Sequence, residues 1–70
     1  MDQPISVVVN GDSKQVPAGI SVNALLAHLG ISTGRVAIER NADILPRPLW
    51  NETQVSEGDR YEIVHLVGGG

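Results

Sequence analysis

Residues 60–67 read RYEIVHLV, and the two faces of this one segment decide the architecture. In an extended chain, alternation puts Tyr61, Ile63 and His65 on one side and Glu62, Val64 and Leu66 on the other. Apolar residues on both faces mark a central strand with a neighbour on each edge. The EGD of residues 57–59 turns the chain into it. A central last strand must find its partners earlier in the chain.

The first partner is in ISVVVNGDSKQV, residues 5–16. Ile5, Val7 and Val9 alternate onto one face, with Ser6, Val8 and Asn10 on the other. Asn10-Gly11 is a strong short hairpin signal. Val16 and Pro17 close the returning strand, where a residue that cannot donate to a ladder does no harm. The first and last strands are both long and apolar, so pairing them side by side in the middle of the sheet is the economical arrangement.

GISVNALLAHLGI, residues 19–31, changes period. Val22, Leu25, Leu26 and Leu29 form the stripe of one buried helix face. Ser21 is a natural N-cap, and Ile20 with Leu25 takes the two positions of a hydrophobic staple. Gly30 stands where a left-handed residue ends a helix, and Ile31 can fold back over the last turn. The spacing predicts one helix of about two turns. RVAIER, residues 35–40, then reads as a strand with Val36 and Ile38 on one face. NAD, residues 41–43, turns into a short strand around Ile44 and Leu45, and the prolines of PRPLWN, residues 46–51, limit that segment to a turn or a single 3₁₀ turn.

Hairpin, helix, two short strands and a final strand give an α+β domain, a mixed sheet of four to five strands with one main helix packed on one face. That is the β-grasp layout. It predicts a domain over residues 1–67 and a flexible glycine tail over residues 68–70, leaving directly from a central strand.

Composition narrows the function. Seventy residues make one small domain with little core to spare. Without cysteine there is no disulfide, thiolate metal ligand or side-chain thiol. Five Lys and Arg against eight Asp and Glu give a net charge of -3, which argues against a nucleic-acid backbone as partner. The acidic residues Asp2, Asp12, Glu39, Asp43, Glu52, Glu57, Asp59 and Glu62 are scattered, as on a solvated surface. No apolar run approaches the roughly 20 residues of a membrane span. The MDQP start has neither a basic region nor an apolar one, so a cytoplasmic chain is expected. No metal-ligand spacing exists. His28, in the last helical turn, reads as a surface residue favoured by the helix dipole. His65 reads as structural and Trp50 as cover for the edge of the core.

The chain ends in Gly68, Gly69 and Gly70. A frayed terminus would explain such a run, but so would a working carboxylate. Glycine has no Cβ, so several in a row can extend into a narrow active site and take whatever φ is needed. No helix follows whose N-terminus could hold an anion, so the run is not a phosphate loop.

VNG (residues 9–11), VAIERN (36–41), ILPRPLW (44–50) and EGDRYEIVHLVGGG (57–70) together resemble the ThiS family, the sulfur-carrier proteins of thiamin biosynthesis. The final glycine pair is shared with ubiquitin and the small subunit of molybdopterin synthase. Pro46, Arg47 and Trp50 of the Pro-Arg-x-x-Trp stretch discriminate better and favour the thiamin branch. Gly68 is a departure, standing as a third glycine before the required pair.

The resemblance implies a carrier, not an enzyme, with no cofactor of its own. A ubiquitin-activating-type adenylating enzyme (ThiF-like) would use ATP and magnesium to convert the Gly70 carboxylate to an acyl-adenylate. A persulfide donor would then supply the sulfur of a thiocarboxylate, and thiazole synthase (ThiG-like) would accept it. Val8, Val64 and Leu66, on the sheet face away from the helix, are the candidate partner-binding residues, and the free carrier is expected to be a monomer. Two other classes stay open: a carrier for molybdopterin synthesis or a ubiquitin-like modifier, and a β-grasp binding module with an incidental tail.

Overall fold

The computed structural model describes residues 3–32 and 34–66. Its elements follow the expected order: β1 (Ile5–Val9), β2 (Asp12–Val16), α1 (Val22–His28), β3 (Val36–Arg40), β4 (Asp43–Ile44), a 3₁₀ turn (Arg47–Leu49) and β5 (Arg60–His65). They form one five-stranded sheet in the order β2-β1-β5-β3-β4. β5 lies centrally, as expected, parallel to β1 and antiparallel to β3, but only its Tyr61–Ile63 face is buried and the face with Arg60, Glu62 and Val64 is exposed.

Asn10 and Gly11 both have positive φ, at 51° and 86°, and form the two-residue turn between β1 and β2. The helix is capped at both ends. Ser21 Oγ accepts from the amide of Ala24 at 3.1 Å. The amides of Val22 and Asn23 donate outside the helix, to the carbonyls of Thr53 at 2.8 Å and Trp50 at 3.2 Å. The first three helical donors are thereby satisfied, and the segment before β5 is tied to the helix start. At the other end Gly30 adopts φ 73°. Its amide donates to Ala27 O at 3.1 Å and that of Ile31 to Leu26 O at 2.9 Å, the paired bonds of a Schellman cap.

Val22, Leu25 and Leu26 pack on the inner sheet face with Val7, Val9, Val16, Val36, Ile38, Tyr61 and Ile63; Ile20, Leu29 and Ile31 border this core. Full burial of each such aliphatic side chain contributes about 1.5–3 kcal/mol, so one short helix is enough to close a small domain.

Three expectations need correction. The turn after β3 is tighter than NAD: Asn41 (φ 53°) and Ala42 (φ 76°) make it alone, and Asp43 already belongs to β4. Leu45 lies beyond β4 but still donates to Ile38 O at 2.8 Å. Trp50 does not cover the edge of the core; it is part of it, 3% exposed, with its indole nitrogen donating to Leu45 O at 2.8 Å. Asp59 is not a solvated surface residue but is 5% exposed. Its burial depends on partners that sequence spacing does not show.

Candidate functional site

Three features converge on β5: the polar cluster where it starts, the uncovered face along it, and the exit where it ends.

At the start, Asp59 Oδ2 accepts from the Tyr61 hydroxyl at 2.8 Å, the Ser56 amide at 2.9 Å and Arg40 Nε at 3.1 Å. Its other oxygen accepts from Asn41 Nδ2 at 3.1 Å. Burial alone would push the Asp59 carboxyl up, but the Ser56 amide, the Tyr61 hydroxyl, Asn41 and the Arg40 charge together hold it below its ordinary value. The Tyr61 phenol is pushed up to about 12, by burial first and then by its bond to Asp59. Arg40 is raised, mainly through its hydrogen bond to Tyr61. Every buried side-chain nitrogen and oxygen among the described residues has a partner. A fully satisfied cluster of this kind braces the entry to β5 and leaves no group free to act as a base.

Along β5, alternation sends Arg60, Glu62 and Val64 to the face that the helix leaves bare. Ala37 stands opposite Val64 and Glu39 opposite Glu62 on β3, and Ile44 opposite Glu39 on β4. Ala37, Ile38, Glu39, Ile44, Glu62 and Val64 line a shallow groove there. Ile44 is 75% exposed and Val64 and Leu66 are each 54% exposed. Val8 is only half-buried, but the parallel register places it beside Arg60, four residues from Val64 along β5. That separation is about 13 Å at strand rise. The exposed apolar set is therefore Ile44, Val64 and Leu66, and Val8 stands apart from it. Sequence reasoning missed Ile44. The signal was its place in a short strand after a tight turn, but its face depends on pairing with Glu39, which no local pattern reveals.

At the end, the Leu66 amide donates to Arg35 O at 2.7 Å, carrying the β3–β5 ladder past the last strand residue. Gly68, Gly69 and Gly70 lie outside the described residues. Arg47 and Trp50, the residues of the Pro-Arg-x-x-Trp stretch, meet nearby: the guanidinium lies 4.4 Å from the indole centroid. His28 and His65 are both exposed. Among the described residues no group of three or more His, Cys, Asp or Glu could hold a metal ion, and no helix is long and apolar enough to cross a membrane.

A family model described as the ThiS family matches residues 5–70. Thiazole synthase of Paramagnetospirillum magneticum contains a segment 39% identical over 66 residues, 94% of this chain but only 20% of that protein. The chain thus spans a fifth of the length of that relative. The sulfur carrier protein ThiS of Bacillus subtilis is 36% identical over 50 residues, covering 71% of this chain and 76% of that protein. The crystal structure of the thiamine biosynthesis protein ThiS from Geobacter metallireducens superposes with a TM-score of 0.82 at 30% identity, over 94% of this chain and 100% of that one.

Proposed function

The chain belongs to the ThiS family, and we propose that it carries sulfur for thiazole formation in thiamin biosynthesis, on the carboxylate of Gly70. The observation that carries this reading is that the family match extends through residue 70, so it includes the glycine run as well as the folded body.

A carboxylate is a poor electrophile until its oxygen becomes part of a good leaving group. In this reading a ubiquitin-activating-type enzyme attacks ATP with the Gly70 carboxylate, releasing pyrophosphate and forming an acyl-adenylate. The terminal sulfur of a persulfide displaces AMP, and cleavage of the S–S bond by a thiol leaves a thiocarboxylate. Thiazole synthase then takes the sulfur. ATP and magnesium belong to the activating enzyme. The carrier supplies a slim tail on a rigid sheet, and the Ile44, Val64 and Leu66 face is the surface by which both enzymes grip it in turn. The thiazole synthase that includes a similar segment supports this partnership.

The test is pyrophosphate exchange from ATP with the cognate adenylating enzyme. Misplacing a reacting group by about 1 Å can cost ~10²-fold in rate, so deleting Gly70 or appending one residue abolishes exchange while the melt is unchanged. Undiminished exchange by the appended variant would mean that Gly70 is not the reacting residue.

A further inference from the structure

Two hydrogen bonds meet in the short segment that leads into β3. Arg47 Nη2 donates to Gly34 O at 3.0 Å. One residue on, Arg35 O accepts from the Leu66 amide at 2.7 Å, and Leu66 is the last described residue before Val67 and the glycines. Arg47 is itself held in place. Its guanidinium stacks over the indole of Trp50, which is buried and bonded to Leu45 O. Pro46 and Pro48 on either side restrict its backbone. Contacts therefore run without a gap from the buried indole, through Arg47, Gly34 and Arg35, to the base of the tail. Arg47 is exposed and covers the buried indole with the face of its guanidinium, while Nη2 is left to hold the Gly34 carbonyl.

We propose that Arg47 is a positioning residue for the C-terminal tail: by holding Gly34 it fixes the Arg35 carbonyl that pins Leu66, and so sets where the Gly70 carboxylate is presented. The part that concerns presentation rests on the carrier reading above; the coupling of Arg47 to Leu66 does not. A glycine run has no side chains to hold its own direction, so an anchor at Leu66, four residues before Gly70, bears on where that carboxylate is presented. Releasing Leu66 moves the anchor back along β5, and effective concentration falls as a tether lengthens.

The experiment uses the full chain with Arg47→Met, which keeps the aliphatic stem, and Arg47→Lys, which keeps a donor and a charge. Amide hydrogen exchange is followed at Leu66 and, as an internal control, at Leu29, whose amide donates to Leu25 O at the helix end. Pyrophosphate exchange with the cognate adenylating enzyme is measured on the same samples. In Arg47→Met, exchange at Leu66 should accelerate about three- to tenfold, the weight of one lost hydrogen bond, with Leu29 unchanged. The kcat of activation should fall by a similar factor at constant KM, because the docking face is untouched, and Arg47→Lys should recover most of both. Unchanged exchange at Leu66 overturns the coupling, and equal acceleration at Leu29 replaces it with a loss of global stability. Faster Leu66 exchange with an unchanged kcat overturns the role in presentation. If the wild-type chain supports no pyrophosphate exchange, the carrier reading fails while the Leu66 measurement still decides the coupling.

Discussion

The side chain of Asn10 exchanges two hydrogen bonds with the backbone of Ile63: the Ile63 amide donates to Oδ1 at 2.7 Å, and Nδ2 donates to the Ile63 carbonyl at 3.1 Å. Its own backbone amide donates to Tyr61 O at 2.9 Å. The carboxamide thus takes the places that the next carbonyl and amide of β1 would have held had that strand not turned away. Asn41 does the same service at the other hairpin, accepting from the Arg60 amide at 2.9 Å while donating to Asp59. Two turn residues with positive φ clamp the central strand at different points.

Turn chemistry and tertiary structure make opposite predictions for Asn10→Gly. Glycine suits φ 51° at least as well as asparagine, so the turn alone predicts no loss. Losing two bonds to β5 predicts a destabilisation of about 1–3 kcal/mol. Urea denaturation decides, and an unchanged midpoint would show that the clamp carries no weight.

Ala42→Gly should stabilise the protein. Ala42 sits at φ 76° in the second position of a two-residue hairpin turn, where glycine is the favoured residue. Relief of the left-handed strain outweighs the extra freedom of glycine in the unfolded chain, for a net gain of about 0.5–1 kcal/mol. The check is a higher thermal midpoint at an unchanged circular dichroism spectrum.

The Asp59 cluster gives stability a dependence on pH at both extremes. The folded carboxyl is held below its ordinary 3.8, so its contribution is complete above that value and is lost as pH falls through the folded pKa. The folded Tyr61 phenol is raised from 10.0 to about 12, so its contribution is complete below pH 10.0 and is lost as pH rises toward 12. Tyr61 is the single tyrosine, so phenolate absorbance reports it directly. Asp59→Asn should lower that titration toward the ordinary range and cost about 1–3 kcal/mol at neutral pH. A titration near 10 in the wild-type protein would refute the cluster as described.

Val64→Asp tests the uncovered face. At 54% exposure, a charge there should leave the melt nearly unchanged, within the ~0.5 kcal/mol typical of surface changes, while binding to the adenylating enzyme or to thiazole synthase is lost. Ile44→Asp should behave alike and Val8→Asp should not, because Val8 lies beside Arg60 and away from the set. Full binding by both Val64→Asp and Ile44→Asp would mean the face is inert.

In the tail, Gly69→Val should block activation by bulk and by disfavouring positive φ, whereas Gly68→Ala should be milder because it adds a single methyl one residue further along the chain from the reacting carboxylate. Equal loss of pyrophosphate exchange at both positions would place the narrow part of the activating site further from Gly70.

The sequence alone determined whatever depends on residues close along the chain. The stripe Val22, Leu25, Leu26 with Ser21 before it and Gly30 after it specifies the helix, and Asn10-Gly11 specifies the first hairpin. The apolar run within residues 60–67 marks β5 as a strand of the sheet's middle, although the structure buries only its Tyr61–Ile63 face. The tertiary structure decided whatever depends on register and on partners far apart in sequence. Asp59 reads as one more surface carboxylate until Arg40, Asn41 and Tyr61 converge on it, which offsets the cost of removing its charge from water. Val8 and Val64 carry the same local signal, yet a parallel pairing that begins at Arg60 separates them, while the antiparallel pairings of β3 with β4 and β5 bring Ile44 to the groove that Val64 lines. Alternation names the face on which a residue lies, but only the pairing of strands says which residues are neighbours there.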